Sequence, residues 1–138
     1  MSDRKRPYRI GLDFDGVLHS YTSGFTGIEP KDPPVKGAVK FVCKLKDAGF
    51  EVFVFTARLA GENWSAAHEM AIRAWLVENN FPCLQITGEK WHADLYIDDR
   101  GYRFTGDFTE LESKLFKKSG ILMSWVDKGT PTEYDPTP

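Results

Sequence analysis

Apolar and polar positions along the chain change period several times, and each change predicts a new element. Residues 8–14 (YRIGLDF) form a short strand that runs into an acidic turn at Asp15-Gly16. Residues 19–34 are rich in Gly, Pro, Ser and Thr and predict a loop. From Val35, the residues Val35, Ala38, Val39, Val42 and Leu45 fall at helical spacing, and Gly49 supplies a stop. Glu51–Phe55 (EVFVF) is apolar enough to be a central strand of a parallel sheet. A second helix is expected over 62–79, with Trp64, Ala67, Ala71, Ala74 and Trp75 on one side. Asn79, Asn80 and Pro82 end it. Leu84–Ile86 and Ala93–Ile97 (ADLYI) predict a third and a fourth strand. A last helix is expected near Thr109, where Thr109 and Glu112 have capping-box spacing.

Strands alternating with helices predict an α/β domain with a mainly parallel sheet. Three of its strands end in polar punctuation: Asp13-Phe14-Asp15, Thr56-Ala57-Arg58 and Asp98-Asp99-Arg100. Right-handed parallel crossovers gather these carboxyl ends on one sheet edge, where open α/β folds bind ligands. Order along the chain therefore assembles four acids, a Thr and two Arg in one crevice.

Composition narrows the setting without changing that picture. The 138 residues fit one domain, read over 1–138 with a Pro/Thr-rich, flexible tail at 127–138. Hydrophobic residues make up 41% and charged residues 28%, ordinary values for a globular protein. The net charge of −2 calls for neither a nucleic-acid nor a membrane partner, and the basic run Arg4-Lys5-Arg6 reads as a solvated start. No apolar run approaches the ~18 residues of a membrane span, and none follows the N-terminus as in a signal peptide. Cys43 and Cys83 lie in apolar stretches and read as buried free thiols of a reducing, cytoplasmic setting.

The chemistry rests on the acids. Residues two apart in an extended segment face the same way, so Asp13 and Asp15 converge while Phe14 turns into the core. Gly16 permits the sharp turn and close approach beside them. Carboxylates this close need a cation or a shared proton. With Asp98 and Asp99 they make an all-oxygen set suited to Mg²⁺. Asp13-x-Asp15-Gly16 alone is a common turn; followed in order by Thr56, Lys90 and Asp98-Asp99, it is specific.

IGLDFDGVL, VFVFTAR and YIDD resemble motifs I, II and IV of the haloacid dehalogenase (HAD) superfamily, and Lys90 resembles its motif III lysine. The resemblance spans residues 8–100 and implies a Rossmann-like three-layer domain and an Mg²⁺-dependent phosphatase. It makes Asp13 the covalent nucleophile and Asp15 the group that protonates the leaving oxygen and then activates water. It assigns Thr56 to a phosphoryl oxygen and Lys90 to the charge on phosphate and nucleophile. Mg²⁺ would sit between the Asp13 carboxylate, the Asp15 backbone carbonyl and the pair Asp98 and Asp99. Family members with a glycine at the first place favour Asp99 as the direct ligand. Asp at position 15 is typical of phosphatases and phosphomutases in the family. Neither usual insertion site has room for a cap domain, so the crevice is expected to stay open to bulky phosphoesters unless a neighbouring subunit covers it. The FTAR and IDDR forms resemble small phage and bacterial members and the phosphatase part of polynucleotide-repair enzymes, which raises nucleotides or nucleic-acid ends as substrates.

Further residues stand beside these motifs. Arg58 and Arg100 suit bidentate phosphate contact, with a plain ion pair to the acids as the other reading. His19 follows motif I and is a candidate for substrate contact or for support behind it. His19, His68 and His92 show no zinc spacing. Tyr21 and Phe25 lie in the loop after motif I, where they would stack on a base or anchor the loop. Trp91 reads as packing, and Trp64 and Trp75 as core. Two rival functions use the same residue types: a phospho-accepting receiver module, whose motifs run in another order, and an inactive HAD fold kept as a binding scaffold.

Overall fold

The computed structural model describes residues 6–115, so Arg4, Lys5 and the tail at 127–138 lie outside the described residues. Backbone contacts divide the chain into two compact units, Met1–Arg100 and Gly101–Pro138. In the first unit run β1 (Arg9–Asp13), α1 (Ala38–Asp47), β2 (Glu51–Phe55), α2 (Ala66–Glu78), β3 (Gln85–Thr87) and β4 (Leu95–Ile97); α3 (Phe108–Leu115) belongs to the second. The four strands pair in parallel in the order β3-β2-β1-β4, as the strand–helix alternation requires.

Alternation decides what each sheet face meets. Ile10, Leu12, Val52, Val54 and Ile86 share one buried cluster with Ala38 and Val42 of α1 and Ile72, Trp75 and Leu76 of α2. Both helices therefore pack on the same face. Leu12, Phe14, Val42, Val54 and Ile72 are 0% exposed, and burial of each contributes about 1.5–3 kcal/mol. The other face carries aromatics: Phe53 meets Trp91 and Tyr96, Phe55 meets Tyr96, and Arg9 lies over Phe53 and Trp91.

Helix ends follow local chemistry. Gly37, at φ 86°, cannot continue a helix, so α1 begins at Ala38 and not at Val35. It ends with Phe50 N–H bonding Leu45 O and Gly49 N–H bonding Lys46 O, a Schellman closure. α2 closes the same way through Asn80 at φ 67°. Its start lies later than position 62, because Ser65 Oγ accepts the His68 N–H as N-cap while Gly61–Asn63 forms a separate 3-10 turn. The expected face of α2 is also corrected: Trp64 is 58% exposed, Ala67 and Ala74 are exposed, and the buried residues are Ile72, Trp75 and Leu76. At α3 the cap is Asp107, whose carboxylate accepts the Thr109 and Glu110 N–H groups, so Thr109 sits inside the helix. Cys43 is half-buried and Cys83 exposed, against the expectation of two buried thiols; both are free. Arg6 pairs with Asp94 at 3.0 Å. No described helix is long and apolar enough to cross a membrane.

Candidate active site at the carboxyl edge of the sheet

Parallel pairing in register brings the strand ends together: Asp13 stands opposite Phe55, Phe55 opposite Thr87, and Leu12 opposite Ile97. Asp13, Thr56 and the Asp98-Asp99 pair therefore leave the sheet at one edge. After Asp13 the chain reverses tightly, with Phe14 O accepting the Leu18 N–H at 3.0 Å and the His19 N–H at 2.9 Å. Gly16 sits in this turn at φ 88°, and the Asp99 carboxylate lies where its Cβ would be. Any other residue there would displace Asp99 as well as strain the turn.

Asp13 is half-buried, and its Oδ1 accepts the Phe14 N–H at 2.8 Å. Burial pushes its carboxyl up to about 7; the Phe14 N–H opposes this, while the charges of Asp99, Asp15 and Asp98 add to it. Among the described residues Lys90 makes no ion pair with these acids. Its ammonium stands 5.5 Å from the centre of the Tyr96 ring, a placement that the expected role on Asp13 does not anticipate. Arg100 is exposed, and its backbone N–H caps Asp98 Oδ1 at 2.9 Å.

Asp15 has different surroundings. Arg58 Nε donates to its Oδ2 at 2.8 Å and Nη2 to its Oδ1 at 3.2 Å. The guanidinium also reaches Gly27 O and lies against Phe25, with its centre 5.2 Å from that ring. Arg58 is 6% exposed, so of its two sequence readings the structure presents the ion pair. His19 Nδ1 stands 2.7 Å from Asp15 Oδ1, and its Nε2 faces the Asp32 backbone N–H at 3.0 Å. A backbone N–H can only donate, so Nε2 accepts and the proton sits on Nδ1, pointing at Asp15. The ring is 1% exposed, stacked on Phe14 and edge-on to Trp75. His19 therefore supports Asp15 from behind: Nδ1 is engaged with Asp15 and Nε2 with the Asp32 N–H, so neither ring nitrogen is left for substrate.

Thr56 is 1% exposed at the end of β2. Its Oγ1 accepts the Arg58 N–H at 3.1 Å, which leaves the hydroxyl proton to donate elsewhere.

One residue escaped the sequence reading. Asp32 is buried in the Pro-rich loop, where its carboxylate accepts the Ser23 N–H at 2.8 Å and Oγ–H at 2.6 Å. These bonds hold its carboxyl below the usual carboxylate range. Trp75 Nε1 donates to Asp32 O at 2.9 Å, tying loop to helix. The available signal was an Asp before Pro33-Pro34, a turn-forming pair, inside a stretch read only as loop.

Among the described residues no three His, Cys, Asp or Glu side chains converge closely enough to hold a metal ion by themselves. Mg²⁺ commonly binds one or two carboxylates and keeps several waters. Asp13, with neighbouring anions and the Asp99 carboxylate seated on Gly16, fits that smaller donor set; the Asp15 carboxylate, engaged by Arg58 and His19, does not join it. A cavity of about 280 Å³ opens beside Asp15, lined by Tyr21, Phe25, Ala57, Arg58 and His68. A larger one of about 360 Å³ lies at the opposite edge, by the strand starts. Its cations Arg9, Lys46 and Arg73 each donate to a backbone carbonyl, so they serve the fold there. Compared with profiles of protein families, with curated proteins and with solved structures, the chain matches none.

Proposed function

We propose that this chain is an Mg²⁺-dependent phosphatase of the HAD type, a Rossmann-like domain without an inserted cap, acting on phosphate monoesters through an aspartyl phosphate. The observation that carries the reading is the convergence of Asp13, Asp15, Thr56 and Asp99 at one sheet edge, with Asp99 seated on Gly16. An Asp13 oxygen attacks phosphorus as the bond to the leaving oxygen breaks, and Asp15 gives that oxygen a proton. Water then attacks the aspartyl phosphate and gives its proton to Asp15, the Asp13–phosphorus bond breaks, and phosphate leaves. Thr56 Oγ1 donates to a phosphoryl oxygen. Asp13, Asp99 and the Asp15 backbone carbonyl would hold the metal; bound Mg²⁺ offsets the negative charge on nucleophile and phosphate.

Arg58 donates to both oxygens of Asp15, so the acid's first role requires that pair to open. Lys90 stands over Tyr96 and, among the described residues, pairs with none of these acids. These two placements favour one second reading, an inactive HAD-like scaffold that binds phosphate without turnover. A screen with Mg²⁺ across nucleotides, phosphorylated oligonucleotides, sugar phosphates and phosphopeptides separates the two. Sustained phosphate release that stops in chelator supports the phosphatase, and Asp99→Ala should lose both activity and metal dependence. Binding without release on every ester supports the scaffold.

A further inference from the structure

The geometry points to a nucleoside subsite beside Asp15, formed by Tyr21, Phe25, Arg58 and His68, so that the ester cleaved is a nucleoside monophosphate. The inference rests on the phosphatase reading of the same site and adds the identity of the leaving group. The cavity of about 280 Å³ includes Asp15 in its wall, the residue assigned to the departing oxygen, so what fills it is the alcohol half of the ester. That volume is near the ~300 Å³ lower end for small-molecule pockets, room for one base with its sugar.

The lining selects by shape and charge. Phe25 is 62% exposed, held by its face against the Arg58 guanidinium and otherwise open to a second flat partner. Tyr21 lies edge-on to His19 and 6.0 Å from the same guanidinium. Its backbone is at φ 59°, an outlier for a bulky residue, which the turn from Gly24 N–H to Tyr21 O closes. Two aromatic rings on one loop thus flank a planar cation, an arrangement that receives a heteroaromatic base by stacking.

Charge argues in the same direction. Arg58 is bonded to Asp15 and to Gly27 O, so as it stands in the wall the guanidinium offers a flat face more than a free charge. His68 has Nδ1 engaged with Ser65 Oγ, which leaves Nε2 as the polar atom available to a base edge or a ribose hydroxyl. A ribose oxygen is also the poor leaving group that needs the proton of Asp15, whereas a tyrosine phenolate leaves with little help.

The test compares kcat/KM with Mg²⁺ for adenosine and uridine 5′- and 3′-monophosphates, ribose 5-phosphate, glycerol phosphate and a tyrosine-phosphorylated peptide. Stacking at its usual size predicts nucleoside esters ahead of ribose 5-phosphate by about 10- to 100-fold. Phe25→Ala should cut that ratio mainly through KM, and Phe25→Trp should keep it. Direct binding of adenosine and uridine, followed by NMR on wild type and Phe25→Ala, reads the subsite without any chemistry. A ratio near one on an active enzyme overturns the subsite and leaves the phosphatase standing, as does preference for the phosphopeptide. Nucleoside binding that Phe25→Ala abolishes, with no ester turned over, supports the subsite while the phosphatase reading falls.

Discussion

Asp13 and Asp15 carry the same carboxylate two residues apart, and the structure surrounds them differently. Asp15 receives Nε and Nη2 of Arg58 and Nδ1–H of His19, and His19 is itself set by Asp32, Phe14 and Trp75. Asp13 receives one backbone N–H and has three acids bearing on it. One carboxylate is thus oriented and charge-matched by the fold. The other is half-buried beside like charges with no matching cation among the described residues, which pushes its carboxyl up to about 7 and which a bound cation would relieve. A pair of acids acquires separate roles from its neighbours.

The largest effect that probes this contrast comes from Asp15→Asn, which keeps shape but neither gives nor takes a proton. General acid–base catalysis contributes about 10²–10⁴-fold. The variant should lose that much on an alkyl or ribose phosphate and far less in the phosphorylation step with an aryl phosphate, whose leaving oxygen departs nearly unaided. Equal losses measured on the two esters would remove Asp15 from proton transfer and dissolve the contrast.

His19→Phe sharpens it next. The ring stack survives, but the Asp32 N–H is left buried without its acceptor, which costs about 1–3 kcal/mol in chemical denaturation. Asp15 also loses one of its donors, so kcat on alkyl esters should fall further than on aryl esters. A stability loss with unchanged kcat on both would make His19 a core residue alone.

The smallest effect is on acid stability. Because Ser23 holds the Asp32 carboxyl below the usual range, its contribution is present above that range and is lost as pH falls through the folded value. Ser23, His19 and Thr22 are the side chains that act on it, all lowering its carboxyl. Wild type should lose thermal stability on acidification below about pH 4, and Asp32→Asn should show a shallower loss. Parallel curves would separate Asp32 from the support of His19.

Much of this architecture is legible in the sequence because it depends on local period and chain direction. β2 falls on Glu51–Phe55 as read, and parallel strands must end at one edge, so Asp13, Thr56 and Asp99 follow from order alone. Helix starts were harder, since Gly37 and Ser65 act through backbone angle and a single cap bond while apolar spacing continues across them. Side-chain direction was harder still. Nothing local aims Arg58 at Asp15 or Lys90 at Tyr96, and the chain from Asp15 through His19 to Asp32 exists only once Trp75 of α2 closes behind it.

The central claim is that Asp13 becomes covalently phosphorylated, and trapping tests it most directly. Asp15→Asn, mixed with Mg²⁺ and an aryl phosphate and quenched in acid, should release a burst of phenol and then stall. Peptide mass analysis should find a single phosphoryl group, on Asp13, and Asp13→Asn should show neither burst nor label. Turnover of phosphate esters with Asp13 unmodified throughout, or with the phosphoryl group on another residue, would contradict the account.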